Sequence, residues 1–351
     1  MAGVIRQWLA GTDWLRVLRI GLALPLLVVA AFYGWMSLDS AQGPVHLQVY
    51  AFSTQEEALT QGIFPAFEQA WEAETDRDLT IEGVFGASGT LAGQINLGAP
   101  ADVAILSNAQ HVAHLKVGRR VRASTEPLVV ALTPMVIVTR PGNPWQIAGF
   151  DDLAQPGLRL LHADPRSSGA GQWAVLAEYG SALLSSGDQA DAEARLRALW
   201  HNVHLLGSSA RSTMALFELG AGDAFVTYEQ DALMARERGS ELQVVVPLST
   251  IIAQHVAVLV DDNVKLQERA AAEAFMNYLT GQEAQAIFRR YSLRPVADGG
   301  EPFAPVARPF TVDEMGGWSR AYVELIEELW IAEIEPRLEL EAAPSLLEMG
   351  E

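Results

Sequence analysis

The chain has 351 residues, half of them hydrophobic, which is enough for two lobes with buried cores and one further segment. It contains no cysteine, which excludes disulfides, thiolate metal sites, a cysteine nucleophile and a lipid-modified cysteine. The net charge of −19 argues against nucleic acid or an acidic membrane surface as a partner. An anionic ligand would therefore have to be held by local dipoles and desolvated hydrogen bonds.

Residues 1–44 predict a membrane anchor or signal segment followed by a short polar linker. The run from Ile20 to Leu38 has about 19 uncharged residues, close to the length of a helix that spans a bilayer. Three arginines precede this run and no lysine or arginine follows it until Arg77, which predicts a cytoplasmic N-terminus and a periplasmic globular part. Cleavage near Val29 to Ala31 is the alternative, but the aromatic residues that end the run favour a retained anchor in the inner membrane.

Strand-like and helix-like segments alternate after the linker. Val45 to Phe52 has the alternation of a strand, and Ser53 and Thr54 follow it at the start of a helical pattern. A second strand-like run, Leu79 to Phe85, ends in a turn of small residues before the next helix. Later segments repeat this arrangement, which predicts an α/β fold with parallel strands and helices on both faces. Ligands of such sheets bind beyond the carboxyl ends of the strands.

Turns rich in small and hydroxyl-bearing residues precede several of the predicted helices. The first turn contains Ser88, the second contains Ser168, Gly169 and Ala170, and the third contains Ser212. The N–H groups at a helix start lack partners within the helix and lie at the positive end of its dipole, so they can hold an anion. An ordinary helix cap explains any single turn, but the recurrence after successive strands favours an anion site.

No motif in the sequence predicts catalysis, a metal or a cofactor. The turn at Ser88 differs from the nucleophile-elbow pattern because its fifth residue is threonine, and no histidine stands in a turn near it. Two histidine pairs, His111 with His114 and His201 with His204, have the spacing of one helix face. A zinc site needs a further ligand, so we interpret both pairs as polar helix surface.

Charged residues next to the predicted anion turns leave two questions open. Arg166 and Arg211 can pair directly with an oxyanion, although such arginines more often brace an interface between lobes. Asp164 and Glu229 also stand close to predicted donors. A carboxylate inside the site would accept the proton of hydrogen phosphate, whereas a site without one favours fully deprotonated sulfate.

A collinear set of short motifs extends over most of residues 45 to 335. These motifs are Gly-Ala-Ser-Gly at 86–89, Ala-Asp-Val at 101–103, Arg-Pro-Gly-Asn-Pro at 140–144, Asp-Pro-Arg-Ser-Ser-Gly at 164–169, Gly-Ala-Gly-Asp at 220–223, Tyr-Glu at 228–229, Phe-Thr-Val-Asp at 310–313 and Gly-Trp at 317–318. In this order the motifs resemble those of the sulfate-binding proteins of ABC importers, which belong to the type II periplasmic-binding-protein superfamily. Residues 86–103 also resemble the molybdate-binding relatives.

The resemblance implies an α/β fold of two lobes joined by two crossovers, here preceded by the predicted transmembrane helix. It implies a first lobe of residues 45–139 and 254–335 and a second lobe of residues 140–253. The composition of residues 336–351 predicts an acidic tail. The crossovers are expected near residues 138–144 and 249–256. The implied function is capture of a tetrahedral oxyanion, with sulfate as the ligand and ABC permease subunits as partners. The alternatives are a molybdate- or tungstate-binding protein and a membrane-anchored sensor or interaction module of the same fold.

When the ligand-binding positions of the family are transferred to this sequence, the resemblance implies neutral donors at helix starts. These residues are Ser53, Thr54, Ser88, Ser168, Gly169, Ala170, Ser212 and Tyr228. The chain departs from the family pattern at two of these positions, since Ala170 replaces a glycine and Tyr228 replaces a tryptophan. The resemblance implies no catalytic residue, no metal and no cofactor.

Overall fold

The computed structural model describes residues 43–296 and 303–338. The predicted N-terminal anchor lies outside the described residues, and so do residues 339–351 of the predicted tail. Within the two described ranges, no helix has both the length and the apolar character needed to cross a bilayer.

The described residues contain ten strands in one connected arrangement. The strands are β1 (Val45–Phe52), β2 (Leu79–Gly86), β3 (Val103–Leu106), β4 (Leu128–Thr139), β5 (Leu160–Ala163), β6 (Val203–Gly207), β7 (Ala224–Tyr228), β8 (Gln243–Val245), β9 (Ser249–Leu259) and β10 (Arg308–Phe310). Their order is β2-β1-β3-β9-β4-β7-β5-β6, with β8 paired to β4 and β10 paired to β9.

Helices follow most of these strands. The α-helices are α1 (Glu56–Ala58), α2 (Phe64–Thr75), α3 (Ser88–Asn96), α4 (Ala109–Val117), α5 (Gly169–Ser186), α6 (Gln189–Trp200), α7 (Ala210–Glu218), α8 (Glu229–Glu237), α9 (Arg269–Tyr278), α10 (Gln282–Arg290) and α11 (Trp318–Ala321). The π-helical segments Leu59–Ile63 and Tyr322–Ile334 continue α1 and α11. Short 3-10 helices occur at Ser53–Gln55, Phe150–Ala154, Val312–Met315 and Glu335–Arg337.

The strand pairing divides the molecule into two lobes. In the first lobe β1 pairs in parallel with β2 and β3, and in the second lobe β5 pairs in parallel with β6 and β7. Strand β4 belongs to both lobes, because Leu128–Pro134 pairs with β9 whereas Met135–Thr139 pairs with β7. Strand β4 changes its pairing partner a few residues before the crossover expected at 138–144. Strand β9 begins within the second expected crossover, at 249–256. The predicted two-lobed α/β fold is confirmed.

The last helical stretch contacts both lobes. Trp330 packs edge-on against Trp200 of α6, with ring centroids 5.4 Å apart, and Trp318 packs against Trp173 of α5 at 4.6 Å. On the other side, the ring of Tyr322 lies 5.4 Å from that of His114 in α4. The predicted first-lobe range of 254–335 therefore includes a helix that packs on the second lobe as well.

Candidate ligand-binding site

A small cavity with a volume of about 10 Å³ lies between the lobes at the carboxyl ends of their strands. The residues of both lobes that line it are Phe52, Ser53, Gly86, Ala87, Ser88, Ser107, Ser168, Gly169, Ala170, Ser209, Ala210 and Tyr228. Among the residues that the structure describes, no lining side chain carries a charge. Pockets for drug-sized molecules have about 300–1,000 Å³, so this cavity suits a small ion rather than an organic substrate.

Several helix starts converge on the cavity. The residues at these starts are Ser53 of the first 3-10 helix, Ser88 of α3, Gly169 of α5 and Ala210 of α7, with Tyr228 as the N-cap of α8. The first N–H groups of a helix have no partner within it, and each helix start carries a partial positive charge. The cavity is thus surrounded by neutral donors and by the positive ends of helix dipoles, which together favour an anion.

The structure brings most of the predicted site residues together. The six that line the cavity are Ser53, Ser88, Ser168, Gly169, Ala170 and Tyr228. The other two do not line it. The Ser212 hydroxyl instead accepts the N–H of Ser209 at 2.9 Å and donates to the Ser209 carbonyl at 3.0 Å, so it caps α7. Thr54 is buried, and its hydroxyl has no hydrogen-bond partner in the described part of the chain.

Two hydroxyl groups of the cavity are buried and unpaired. Tyr228 and Ser107 are 0% and 1% exposed, and neither hydroxyl forms a hydrogen bond with another described residue. Burial raises the pKa of the Tyr228 phenol well above its usual value, so the phenol keeps its proton. A buried polar group without a partner costs about 1–3 kcal/mol, which an acceptor in the cavity would relieve.

The Ser88 hydroxyl contacts a buried histidine. Its oxygen lies 2.8 Å from Nδ1 of His111 and accepts the backbone N–H of Ser107 at 3.0 Å. His111 is only 1% exposed, and burial lowers its pKa to about 3, so its ring is neutral. The interpretation of His111 as polar helix surface is therefore wrong. The apolar positions Val112 and Leu115, both buried, were the signal that this side of α4 faces inward.

The described residues do not provide a metal site. No group of three histidine, cysteine, aspartate or glutamate side chains is placed to hold an ion in the described ranges. The rings of His111 and His114 have centroids 5.9 Å apart.

Hydrogen bonds across the cleft hold the lobes in a closed arrangement. The indole N–H of Trp173 donates to the Ser107 carbonyl at 2.8 Å, and the Gln230 amide donates to the Thr54 carbonyl at 2.9 Å. The backbone N–H of Gly89 donates to the Ser167 carbonyl at 2.9 Å, so it does not point at the cavity as a free donor.

The two arginines beside the predicted anion turns form ion pairs with carboxylates. Arg211 of the second lobe donates to both oxygens of Glu57 in the first lobe, at 2.6 and 2.7 Å. Arg166 donates to both oxygens of Glu335 at 2.6 Å. Burial by itself would raise the pKa of Glu57, but the hydrogen bonds and the charge of Arg211 outweigh it, so that pKa is lowered. Neither arginine lines the cavity.

The two carboxylates near the predicted donors do not line the cavity. Glu229, the first residue of α8, accepts two hydrogen bonds from Arg294 at 2.8 and 2.9 Å. Asp164 accepts the backbone N–H of Arg166 at 2.8 Å. The described lining of the cavity therefore offers a bound anion no carboxylate that would accept a proton.

Comparison with known proteins agrees with this geometry. Residues 47–294 match the family of bacterial extracellular solute-binding proteins. The sulfate-binding protein of Escherichia coli strain K12 is 36% identical over 274 residues, which are 74% of this chain and 83% of that protein. The sulfate-binding protein of Synechococcus elongatus is 27% identical over 331 residues, 89% of this chain and 94% of that protein. The structure of the sulfate-binding protein SubI from Mycobacterium tuberculosis H37Rv has a TM-score of 0.72 at 24% identity, covering 80% of this chain and 99% of that chain. The chain belongs to the family of bacterial extracellular solute-binding proteins.

Proposed function

We propose that the protein captures sulfate outside the cytoplasm and delivers it to the permease subunits of an ABC importer. The observation that carries this proposal is the closed, uncharged cavity into which both lobes direct helix starts and hydroxyl groups. Each hydrogen bond to a charged oxygen contributes roughly 1.5–3 kcal/mol, and several such bonds together replace the hydration shell of the anion. The similarity to two sulfate-binding proteins over most of their length supports sulfate as the ligand.

The donor set favours a fully deprotonated tetrahedral dianion. The N–H groups at the starts of α5 and α7 can only donate, and the unpaired hydroxyls of Tyr228 and Ser107 can donate as well. Sulfate has four acceptor oxygens and no proton at neutral pH. Molybdate and tungstate share this charge and shape, so they are the alternative ligands.

We propose binding rather than hydrolysis, although Ser88 contacts His111. A general base works best when its pKa lies near the operating pH, whereas burial lowers the pKa of His111 to about 3. The small cavity also leaves no room for an organic acyl group beside the Ser88 hydroxyl.

We further propose that the N-terminal segment is retained as an inner-membrane anchor and that the globular part lies in the periplasm. The lobes would be residues 45–139 with 254–335 and residues 140–253, hinged at β4 and β9. The support for the hinge is that β4 pairs with strands of both lobes and with β9. The support for the anchor is the uncharged run that the sequence places before Val45.

Calorimetric titration tests the ligand directly. The purified protein, freed of bound anions by unfolding and refolding, is titrated with sulfate, molybdate, tungstate and phosphate in an oxyanion-free buffer. We expect one sulfate per chain and the tightest binding for sulfate. Tighter binding of molybdate or tungstate would select the alternative ligand, and absence of heat with all four anions would contradict the proposal.

Removal of the Tyr228 hydroxyl should lower sulfate affinity without lowering stability. In Tyr228→Phe, we expect sulfate affinity to fall about tenfold or more, because one hydrogen bond to the anion is lost. The thermal midpoint of the ligand-free variant should not fall, because the Tyr228 hydroxyl has no hydrogen-bond partner among the described residues to lose. Calorimetry and thermal unfolding measure the two effects.

The matched control is Tyr278→Phe, since this tyrosine packs against Phe67 and does not line the cavity. It should leave sulfate affinity unchanged. Unchanged affinity in Tyr228→Phe would remove the phenol from the proposed donor set.

Protonation of Glu57 should weaken binding in acid. The closed form lowers the pKa of Glu57 below its ordinary 4.5, so closure is favoured at pH values above the ordinary pKa. That advantage is lost as the pH falls through the lowered pKa, while sulfate itself remains ionised. Sulfate titrations over a pH series should show this loss.

Glu57→Gln should weaken sulfate binding only a few-fold at neutral pH, because the ion pair of Glu57 with Arg211 is only partly buried. The variant should also lose less affinity in acid than the unmodified protein does. An identical pH profile in both proteins would contradict the role of Glu57.

A further inference from the structure

The three most exposed large hydrophobic residues of the described chain lie at one edge of the first lobe. Leu97, Val117 and Leu266 are 91%, 84% and 92% exposed, whereas the next in exposure, Leu248, is 60% exposed. Isolated aliphatic side chains are normal on a protein surface, but a group of them marks a surface that contacts another molecule. The grouping of these three residues therefore indicates an interaction surface.

Hydrogen bonds join the segments that carry these residues. The three segments are residues 97–102 after α3, residues 117–127 at the end of α4 and residues 260–268 after β9. The Arg120 guanidinium donates to the Asn96 carbonyl at 3.1 Å and forms an ion pair with Asp262. The side-chain amide of Asn263 donates to the Ala99 carbonyl at 2.8 Å. The three segments therefore form one continuous surface, which we call the outer edge.

The outer edge is also the edge at which the chain enters the first lobe. Val103 of β3 pairs with Val49 of β1 and with Leu259 of β9, so the starts of β1 and β3 lie beside the end of β9. Strand β1 starts at Val45, close to the first described residue, Gly43. The ligand cavity lies at the opposite ends of β1 and β3. Whatever precedes Gly43 therefore leaves the lobe beside the three exposed aliphatic side chains and away from the cavity.

Unpaired positive charge lies at the outer edge, although the whole chain has a net charge of −19. Residues 116–122 include four lysines and arginines and no aspartate or glutamate. Arg120 and Arg122 pair with aspartates, but Lys116 and Arg119 form no ion pair in the described part of the chain. Exposed aliphatic side chains next to such cations are the combination that binds the surface of an anionic bilayer.

We propose that the outer edge lies on the surface of the anionic phospholipid bilayer that holds the N-terminal anchor. In this arrangement Leu97, Val117 and Leu266 enter the headgroup region, and Lys116 and Arg119 contact lipid phosphates. The inference rests on the retained anchor that is part of the proposed function. It adds an orientation, because the first lobe rests on the membrane while the cavity stays on the far side of that lobe.

The length of the linker supports this arrangement. Six residues, Asp39 to Pro44, separate the predicted apolar run from β1, and six extended residues span at most about 22 Å. An anchored chain would therefore keep the outer edge close to the bilayer. Such tethering gives the edge a high effective concentration at the lipid surface, so a few weak contacts are sufficient in spite of the net charge of the protein.

The absence of cysteine from the chain allows a single label to be placed at each position. Leu97→Cys, Val117→Cys and Leu266→Cys are made in the full chain and labelled with a fluorophore that responds to its environment. Each protein is reconstituted into vesicles of phosphatidylethanolamine and phosphatidylglycerol, with and without a lipid that carries a nitroxide quencher on its headgroup. We expect all three labels to shift to shorter wavelengths and to lose most of their fluorescence to the quencher.

Leu248→Cys is the matched control, since Leu248 is an exposed leucine just before the other end of β9. The 11 residues of β9 place it about 33 Å from the outer edge, so its label should stay bright. Labels at the outer edge that behave like this control overturn the inference. Self-quenching that rises with the number of chains per vesicle and ignores the lipid quencher also overturns it, because the edge then contacts a second copy of the chain.

A second set of variants excludes insertion driven by the label itself. The label is placed on an exposed polar residue of the same edge, in Ser124→Cys. Replacement of Leu97, Val117 and Leu266 by serine should restore the fluorescence of this label, whereas Leu184→Ser with Leu248→Ser should not. Persistent quenching in the triple variant would overturn the inference.

Sulfate titration and cell fractionation separate this inference from the proposals on which it rests. The triple variant should bind sulfate as the unmodified protein does, because none of its three positions lines the cavity. Recovery of the protein in the soluble fraction without its first segment would contradict the anchor and, with it, the contact to the bilayer, while sulfate capture would stand. Failure of the unmodified protein to bind any tetrahedral oxyanion would contradict the proposed ligand and leave the bilayer contact to the fluorescence result.

Discussion

Gly169→Ala should weaken sulfate binding on the order of a hundredfold. A methyl group at Gly169 would overlap the Ser107 hydroxyl and lie 2.6 Å from the Ser107 β-carbon. Gly169 starts α5 of the second lobe, whereas Ser107 follows β3 of the first lobe, so the overlap occurs only when the lobes close. Overpacking of this kind costs about 1–3 kcal/mol, and the upper end of that range corresponds to roughly a hundredfold in affinity.

The ligand-free form of this variant should unfold at the same temperature as the unmodified protein, because the proposed hinge lets the lobes move apart and relieve the overlap. Gly169→Ala combined with Ser107→Gly is the matched control, since removal of the Ser107 side chain makes room for the methyl group. The double variant should bind sulfate more tightly than Gly169→Ala alone. A single variant that binds like the unmodified protein would show that the closed cavity is not the binding site.

Arg294→Ala should lower the free energy of unfolding by about 3–5 kcal/mol. The Glu229 and Arg294 side chains are 6% and 17% exposed, and the two hydrogen bonds between them leave little of either charge in water. Removal of the arginine leaves a buried carboxylate at the start of α8 without its partner. Urea unfolding of the ligand-free protein measures the loss.

Two controls separate burial from charge in this experiment. Arg294→Met combined with Glu229→Gln removes both charges, and its stability should lie close to that of the unmodified protein. Arg320→Ala removes an exposed partner of Glu324 and should produce no measurable change. Equal losses in Arg294→Ala and Arg320→Ala would show that burial of the Glu229 pair contributes nothing.

Local patterns in the sequence predicted the elements of the fold well. The predicted strand from Val45 to Phe52 has those bounds in the structure, and the strand predicted over Leu79 to Phe85 extends one residue further, to Gly86. Strand and helix bounds depend mainly on residues that are close in sequence. Hydrophobic periodicity and turn-forming residues are therefore sufficient to predict them. The rule that ligands bind beyond the carboxyl ends of strands predicted most of the site residues that line the cavity. Applied to β3, the same rule would also have indicated Ser107, which directly follows that strand.

Contacts between distant parts of the chain could not be predicted in this way. His111 stands 23 residues after Ser88, and its contact with that hydroxyl depends on how α4 rotates against α3. The close approach of Gly169 to Ser107 likewise depends on how the two lobes meet. Ser212 was expected in the cavity because it stands at a helix start, but its hydroxyl is used within the turn that caps α7.

The helix starts around the cavity have a consequence for how such a site changes over evolutionary time. The N–H groups at Gly169, Ala170 and Ala210 belong to the main chain, and no point mutation to another residue with a backbone N–H deletes them. Alanine scanning would therefore see only the hydroxyl part of the donor set and would underestimate the rest. Evolution can therefore change the ligand preference mainly by substituting the side chains that line the cavity. The main-chain N–H donors and the helix dipoles remain as long as the helices keep their positions.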